Sequence, residues 1–319
     1  MLAEINQLNY NVMKKNKVTI YGAGMVGSTA AYSLIASGAV EEIALIDINN
    51  KLCQSQVMDL QHSVPFWGYT KVKVGTSADV EDSQIVVITC GSAQRLGETR
   101  IDLLKKNASI IKGLMSDIFK YNSDIIVIMV TNPVDILTNI AIKMFPDKKN
   151  QIFGSGTVLD TARFRFLLGE KTEVNPTSLH AYIVGEHGDS EVPLWSTAMV
   201  GNTPLDQFHK LSPEEKNTIF NEAKNAAYAI IEGKQSTYYA VAAGIVSLVN
   251  SVLYNKKTVF TVSHQLNGLF GINGVCLSLP RVVGANGILR DIEIAISPEE
   301  KAAIQQSANN LAQAESTLL

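Results

Sequence analysis

Short apolar runs alternate with longer amphipathic stretches along the first half of the chain. The apolar runs span residues 18–21, 43–47, 85–90 and 125–130. Wholly apolar runs of this length, bounded by polar turns, are typical of strands buried on both faces. Helix-like stretches lie between them, over 24–38, around 56–60 and over 101–114. This alternation predicts a parallel sheet with helices on both faces, a doubly wound Rossmann-type α/β fold.

The pattern changes after about residue 160. Longer helical stretches surround short strand-like segments, which predicts an α+β arrangement for the second half. The helical stretches are 159–169, 213–231 and 236–254, and the strand-like segments are 179–184, 257–263 and 271–279. We therefore divide the chain into domains 17–158 and 159–319, preceded by a tail or arm of residues 1–16. No Pro/Gly/Ser-rich linker separates the two domains, so we expect them to pack tightly.

Composition and charge narrow the function classes. The chain has 319 residues, 46% hydrophobic and 18% charged, with a net charge of -3, which is ordinary for a globular protein. No block of like charge suggests a nucleic-acid or membrane partner. The longest apolar run is far shorter than the ~18 residues of a membrane span. Three cysteines without CxxC spacing predict a reduced, cytoplasmic location.

A glycine-rich turn lies between the first strand and the first helix. Gly22, Gly24 and Gly27 form a GxGxxG motif, with Met25 and Val26 opening the helix. The first glycine permits a tight turn, the second a close approach of pyrophosphate, and the third close packing of helix on strand. The helix N-terminus favours the anion. A turn that serves only the backbone is the alternative, but the strand before it and the helix after it favour dinucleotide binding.

Asp47 ends the second apolar run, 20 residues after Gly27. An acidic side chain at this place can accept hydrogen bonds from the adenosine ribose hydroxyls. A carboxylate would also repel a 2′-phosphate. The sequence therefore predicts NAD as the cofactor in preference to NADP.

Three polar segments follow buried strands or lie between strand-like segments: 91–100 (GSAQRLGETR), 131–135 (TNPVD) and 185–190 (GEHGDS). Ligands of open parallel sheets bind beyond the carboxyl ends of the strands. We therefore expect the charged and amide groups of these segments near the nicotinamide end of the cofactor.

Seven segments, in order and spacing, resemble the L-lactate and malate dehydrogenase family, and most closely its bacterial L-lactate dehydrogenases. The resemblance covers residues 17–319. The segments are YGAGMVGS, LIDIN, GETRIDLL, VTNPVDILT, GSGTVLDTARFRFLLGE, GEHGDS and KQSTYYA. Fold-level analogy alone would say little about function, but agreement across seven separate segments implies an NAD-dependent dehydrogenase of small 2-hydroxy acids.

The resemblance implies roles for three catalytic residues. His187 would donate and accept the proton, Asp160 would hold its ring and stabilise the imidazolium, and Arg100 would polarise the substrate carbonyl from a closing loop. The chemistry agrees with this assignment. Reduction of a 2-keto acid adds hydride at carbon and needs a proton on oxygen, and histidine titrates near neutral pH. Loop closure would exclude water.

The resemblance also implies the substrate pocket. Arg163 lies one helical turn after Asp160, and its planar guanidinium suits bidentate binding of a carboxylate. Asn132 would hydrogen-bond substrate or cofactor near the nicotinamide, and Thr237 would line the pocket near the small side group. For each arginine taken alone, a solvated surface charge is the alternative.

Gln94 bears on the choice of substrate, because the resemblance places it six residues before Arg100. Malate dehydrogenases have arginine there and lactate dehydrogenases glutamine. An unpaired second carboxylate in a closed site would cost roughly 3 to 5 kcal/mol, so neutral Gln94 favours pyruvate and L-lactate. Arg95 adjoins it, and Leu96 stands where relatives often have proline. A one-residue shift would bring a cation toward the substrate, which keeps malate as the alternative, although the spacing argues against the shift.

Arg165 and His180 match positions that bind fructose 1,6-bisphosphate between subunits in allosteric bacterial relatives. Two cationic side chains can bind phosphate, and packing between subunits is the alternative role. The resemblance also implies a homo-oligomer, a tetramer or a dimer.

Two other function classes are less favoured. A metal enzyme would need paired ligands, and none of the five histidines forms an HExxH motif. A non-catalytic NAD-binding protein would have no physical need to keep Arg100, Asp160, Arg163 and His187 together.

Overall fold

The computed structural model describes residues 16–92 and 99–318, with Arg100 described in its backbone only. Parallel strands form a sheet in the order β3-β2-β1-β4-β5-β6. These strands are β1 Lys17–Tyr21, β2 Glu42–Ile46, β3 Lys71–Val74, β4 Ile85–Ile88, β5 Ile126–Met129 and β6 Ile152–Gly154. This is the strand order of dinucleotide-binding Rossmann folds. The fold class predicted for the first half is therefore confirmed.

Helices cover both faces of this sheet and of its continuation. They are α1 Met25–Ser37, α2 Asn50–Trp67, α3 Arg100–Tyr121, α4 Val134–Met144, α5 Val158–Thr172, α6 Leu205–Phe208, α7 Pro213–Lys234, α8 Tyr239–Leu253 and α9 Pro298–Ser316. None of the helices in the described ranges is long and apolar enough to cross a membrane.

Burial explains which strands the sequence pattern identified. β1, β4 and β5 are buried along their whole length, and their residues are correspondingly apolar, apart from Lys17 and Thr19 in β1. β3 has the sequence KVKV and is partly exposed at the edge of the sheet. Its alternation of lysine and valine is that of an edge strand, so the search for wholly apolar runs missed it.

The helix predicted over 236–254 begins later than expected. α7 ends at Lys234, Gln235 adopts a left-handed conformation (φ 70°), and α8 begins at Tyr239. The four residues between the helices therefore form a corner rather than helix. None of these four residues is glycine or proline, so the sequence has no strong helix-ending signal there, and the helix start was placed too early.

Most strands of the second half extend this sheet, and three form a small separate one. They are β7 Leu179–His180, β8 Ile183–Gly185, β9 Glu191–Pro193, β10 Met199–Val200, β11 Thr203–Pro204, β12 Thr258–Asn267, β13 Asn273–Gly284 and β14 Gly287–Asp291. β12, β13, β8 and β9 continue the order after β6 with antiparallel pairing, and β14 pairs with β13. β7, β10 and β11 form the separate antiparallel sheet. Apolar residues of α8 share one core cluster with α1 and β1. The two halves are thus packed together, as the lack of a linker predicted.

Candidate active site

A cleft of about 810 Å³ lies between the two halves of the chain. The first half contributes Val26 at the start of α1, together with Thr131 and Asn132 just beyond β5. The second half contributes Arg163 of α5, His187 of the β8–β9 loop and the corner before α8, with Ser236 and Thr237. The cleft therefore lies at the carboxyl edge of the parallel strands, where open α/β sheets bind their ligands.

The glycine turn at one end of the cleft fits a dinucleotide. Gly22 adopts φ 109°, a conformation that L side chains rarely adopt, and a Cβ added to Gly27 would lie 1.8 Å from the Gly22 carbonyl oxygen. These two glycines are therefore required by the turn and by helix packing. A Cβ added to Gly24 would meet nothing within 4 Å. Gly24 thus borders open space at the N-terminus of α1, where a pyrophosphate can approach the backbone.

Asp47 is positioned by hydrogen bonds from the backbone. Its Oδ2 accepts from the Ala23 N–H at 2.7 Å, and its Oδ1 accepts from the Asn49 N–H at 2.8 Å. The carboxylate is thereby fixed beside the glycine turn. Because a carboxylate has about four acceptor positions, Asp47 keeps capacity for ribose hydroxyls.

His187, Asp160 and Arg163 form a hydrogen-bonded chain. His187 Nδ1 lies 2.6 Å from Asp160 Oδ2, and Arg163 Nη1 donates to Asp160 Oδ1 at 2.9 Å. Asp160 is 3% exposed, so its charge is shielded from water and shared by two cationic partners. The bond at Nδ1 leaves Nε2 as the ring nitrogen available to a reacting group, because the imidazole has two nitrogens.

Asp135 supports the same histidine from the opposite side, and sequence reasoning did not identify it. It is buried at the start of α4; its Oδ2 accepts from the backbone N–H of His187 at 2.8 Å, and its Oδ1 accepts from Ser263 Oγ at 2.5 Å. The available signal was a charged residue in the apolar run VDILTNIAI, since a buried carboxylate needs specific partners.

The proton affinities of these groups are displaced from their ordinary values. Burial disfavours the charged ring of His187 and would lower its pKa. The negative charge of Asp160 outweighs burial, and Asp135 acts in the same direction as Asp160, so that the pKa of His187 rises to about 9. Burial alone would raise the pKa of Asp160, but His187 and Arg163 lower it. Burial raises the pKa of Asp135 to about 6 despite its bonds to Ser263 and His187. His187 is therefore charged and Asp160 ionised at neutral pH.

The other expected pocket residues line the same cleft. Asn132 is exposed there, and its carbonyl accepts from Asn107 Nδ2 at 3.1 Å. Thr237 and Ser236 line the wall formed by the corner between α7 and α8. The structure thus brings Asn132 and Thr237 to the same cavity as His187 and Arg163.

The loop expected to polarise the carbonyl is only partly described. Gln94, Arg95 and Leu96 lie outside the described residues. Arg100 is the first residue of α3, after the N-cap Thr99 and three positions before Leu103, which lines the cleft. α3 therefore begins at the cleft.

Arg165 and His180 lie close together on neighbouring elements. Arg165 Nε donates to the carbonyl of Ala181, the residue after His180, at 2.9 Å, and its guanidinium stacks over the Tyr182 ring at 4.7 Å. His180 is exposed on β7. Arg165 is thus half-buried and bonded to the backbone next to His180, whose side chain is exposed.

Two family models match the chain almost end to end. The model described as "lactate/malate dehydrogenase, NAD binding domain" matches residues 16–154, and the model described as "lactate/malate dehydrogenase, alpha/beta C-terminal domain" matches residues 157–317. The junction between them lies just before α5, which carries Asp160 and Arg163.

Individual relatives agree with the family models. The L-lactate dehydrogenase of Acetivibrio thermocellus is 46% identical over 97% of this chain and 99% of its own length. That of Treponema denticola is 43% identical over 94% and 98% of the two chains. The crystal structure of the minor L-lactate dehydrogenase from Enterococcus mundtii superposes with a TM-score of 0.92, at 36% identity, over 96% of this chain and 99% of that one. This chain belongs to the lactate/malate dehydrogenase family.

Proposed function

We propose that this chain is an NAD-dependent L-lactate dehydrogenase, which interconverts pyruvate and L-lactate with His187 as the acid and base. The observation that carries the proposal is the chain His187–Asp160–Arg163 at the cleft, with bonds of 2.6 Å and 2.9 Å. This arrangement sets a proton donor beside a carboxylate-binding cation, which is what a 2-keto acid requires. The named activity of the relatives supports it.

NADH, when bound, supplies the hydride that reduces the substrate at C2. His187, protonated at neutral pH, gives the Nε2 proton to the C2 oxygen in that direction and takes it back in the reverse direction. Asp160 holds Nδ1–H and thereby fixes the ring orientation and stabilises the imidazolium. Arg163 binds the substrate carboxylate with the donors of its guanidinium that face the cleft.

The preference for pyruvate over oxaloacetate rests on Gln94. A neutral amide there leaves the second carboxylate of oxaloacetate without a cation, whereas the methyl group of pyruvate needs none. Thr237 lies in the wall of the cleft, which is consistent with a substrate that has a small side group. Steady-state NADH oxidation with each acid tests the proposal: we expect a higher kcat/KM with pyruvate, and a higher value with oxaloacetate would contradict it.

Two loop variants distinguish the effect of Gln94 on substrate preference from that of its neighbour Arg95. Gln94→Arg should move the preference toward oxaloacetate, because it introduces the missing cation. Arg95→Gln is the matched control and should leave the ratio of the two kcat/KM values unchanged. A fall in oxaloacetate reduction in the control would show that Arg95 acts on the substrate and would favour the malate alternative.

We also propose regulation by fructose 1,6-bisphosphate through Arg165 and His180. Their proximity supports a shared phosphate site, whereas the bond to Ala181 and the stacking on Tyr182 fit the alternative role in subunit packing. Pyruvate saturation curves with and without the sugar bisphosphate decide between the two roles. An unchanged curve would remove the regulatory proposal.

Four further expectations from the sequence stay proposals. They are a tetrameric or dimeric assembly, a cytoplasmic location, a role in fermentation at the end of glycolysis, and the division into domains 17–158 and 159–319. Sedimentation of the purified protein measures the first of them directly.

A further inference from the structure

A buried carboxyl group borders the His187–Asp160 pair, and one of its oxygens has no hydrogen-bond partner among the described residues. Glu191 begins β9 and pairs in register with Gly185 of β8. It is 7% exposed. Within the described ranges, its Oε1 has no hydrogen-bond partner and its side chain forms no salt bridge. Buried carboxylates are normally paired, so this group requires an explanation.

Glu191 borders a second cavity, of about 120 Å³. Asp160, Arg163 and His187 form one wall, and Lys224 and Tyr228 of α7 form part of another. Arg163 and His187 line both this cavity and the main cleft. The second cavity therefore lies directly behind the residues to which we assign proton transfer and carboxylate binding.

The charged groups around Glu191 come from three elements. Asp160 and Arg163 belong to α5, His187 to the β8–β9 loop and Lys224 to α7. Lys224 Nζ donates to the Asp189 carbonyl at 2.6 Å, so this cation is bonded to the backbone of the His187 loop. Asp135 acts on His187 from the start of α4.

These surroundings favour the neutral form of Glu191 near pH 7. Burial raises the pKa of Glu191 to about 8, and the negative charge of Asp160 adds to this effect, although His187, Lys224 and Arg163 oppose it. A neutral Glu191 leaves Asp160 as the buried carboxylate of this cavity that is ionised, since Asp189, which also lines the cavity, is exposed. Loss of the Glu191 proton would add a further buried negative charge near the imidazolium, besides those of Asp160 and Asp135.

We propose that Glu191 is a positioning residue that sets how readily His187 gives up its proton, acting from behind through charge and without contact with the substrate. The proposal rests on the proposed function of His187. When Glu191 is neutral, only Asp160 and Asp135 among these carboxylates stabilise the His187 imidazolium, and His187 releases its proton more readily than when Glu191 is ionised. When Glu191 ionises, the additional anion stabilises the imidazolium and weakens His187 as an acid.

The test compares Glu191→Gln, which is neutral at every pH and similar in shape, with Glu191→Asp, which keeps a titratable group. Glu222→Gln, an exposed position on α7, is the matched control. The pKa of His187 is measured by NMR of ¹³C-labelled histidine, assigned with His187→Gln. We expect a decrease of about one pH unit in Glu191→Gln, with Glu191→Asp closer to the original protein and Glu222→Gln unchanged.

Kinetics give a second readout. Pyruvate reduction needs protonated His187, so kcat/KM should fall as the pH rises through the pKa of His187. This alkaline limb should move to lower pH in Glu191→Gln, while kcat/KM at pH 6.5 changes by less than about threefold, since Glu191 is neutral there. A loss by the same factor at every pH, with the limb unmoved, would indicate a merely structural role and overturn the proposal.

The pH dependence of stability provides a readout independent of activity. The folded protein keeps the Glu191 proton that the unfolded chain has already released, so this group makes stability fall as the pH rises from about 5 to 8. Glu191→Gln lacks this fall, and its stability relative to the original protein should rise over that interval. Glu191→Met replaces it if the glutamine variant does not fold.

The failures of the two proposals are distinguishable. An original protein that reduces neither pyruvate nor oxaloacetate contradicts the proposed function, whereas the NMR titration still reports on Glu191. A His187 pKa that is unchanged in Glu191→Gln overturns the inference even if pyruvate is reduced normally.

Discussion

Two clusters of charged residues, each around a buried side chain, lie at opposite ends of the parallel strands and differ in how completely their charges are paired. The first, the Lys17 cluster, consists of Lys17, Glu42, Lys73, Asp79 and Asp82. Lys17 is 2% exposed, and its Nζ lies 3.0 Å from Asp79 and also contacts Asp82, while Lys73 lies 2.9 Å from Glu42. Each charge of this cluster thus has a partner of opposite sign.

In the Lys17 cluster, the pKa values of Lys17, Glu42, Lys73 and Asp79 move toward the charged forms. Burial opposes the charge of Lys17, but Asp82 and Asp79 outweigh it and raise the pKa. Burial would raise the pKa of Asp79, but Lys73, the Thr76 backbone and Lys17 lower it to about 2. The pKa of Glu42 is lowered in the same way, through Lys73 and Lys17 against burial. Such a cluster holds the strand ends together.

The second, the catalytic cluster, consists of Asp135, Asp160, Arg163, His187 and Glu191. Here burial prevails at two carboxyls, whose pKa values rise to about 6 for Asp135 and about 8 for Glu191. Only Asp160 keeps a lowered pKa, through His187 and Arg163. A cluster with incomplete pairing is less favourable for folding but holds protons near neutral pH, and displaced pKa values of this kind are typical of functional sites. The comparison predicts that the Lys17 cluster governs stability and the catalytic cluster governs rate.

The largest effect is expected for His187→Gln. Removal of the proton donor should lower kcat for pyruvate reduction by about 10³-fold, while NADH binding stays nearly unchanged. Steady-state kinetics and NADH fluorescence titration measure these quantities. His62→Gln, at an exposed position on α2, is the control, and a loss of less than tenfold in His187→Gln would contradict the assigned role.

Lys17→Met should affect stability and leave catalysis unchanged. It leaves buried carboxylates with one cation fewer, which should lower the free energy of unfolding by about 3 kcal/mol without changing kcat or KM. Urea unfolding measures the free energy of unfolding, and steady-state kinetics measure kcat and KM. Lys71→Met is the control, because Lys71 is 65% exposed and 3.8 Å from Glu42, and a surface pair contributes at most about 1 kcal/mol. A fall in kcat of the folded Lys17 variant would contradict the prediction that the Lys17 cluster governs stability and not rate.

Arg163→Lys should affect substrate binding next most strongly. Lysine keeps the charge but loses the planar fork, so the KM for pyruvate should rise by about 30-fold, corresponding to about 2 kcal/mol of lost hydrogen bonding. Arg290→Lys, at an exposed position of β14, serves as the control. An unchanged KM together with reduced thermal stability would mean that Arg163 only braces Asp160.

The smallest effect is a difference in the sign of the pH dependence of stability. Asp79, with its lowered pKa, contributes stability that is present above about pH 4 and is lost as the pH falls toward 2; Asp79→Asn should remove it. Asp135, with its raised pKa, makes stability fall as the pH rises from about 4 to 6; Asp135→Asn should remove that fall. Each slope is at most about 1.4 kcal/mol per pH unit for one proton.

Urea titrations at a series of pH values measure both slopes. Asp124→Asn, at an exposed position before β5, is a control for the loss of one carboxylate. The quantity compared is the change in slope that each substitution causes relative to the original protein. Changes of the same sign in Asp79→Asn and Asp135→Asn would show that the two clusters do not differ in the way proposed here.

Much of the fold was predictable because the relevant signals are local. Wholly apolar runs predicted β1, β2, β4 and β5, and the glycine turn predicted the start of α1. β3 was missed because an edge strand is only half buried, and α2 was predicted too short because its exposed face is polar. α8 was predicted to start too early because the corner at Gln235 depends on one backbone conformation rather than on the hydrophobic pattern.

The sequence by itself determined the residue types and the motifs that carry the chemistry. The glycine turn, Asp47, and the pair Asp160 and Arg163 one helical turn apart can be found without a structure, because each depends on residues close in the chain. The proposal about the side group of the substrate likewise rests on Gln94, which the sequence alone supplies.

Only the tertiary structure decided how those residues act together. Asp135 and Ser263 are 128 residues apart, and Asp160 and His187 are 27 residues apart, so no local pattern reveals that these residues lie together. Their proton affinities depend on burial and on the nearest charges, which exist only in the folded chain. The sequence thus supplied His187, Asp160 and Arg163, and folding determined at what pH His187 and Asp160 hold their protons.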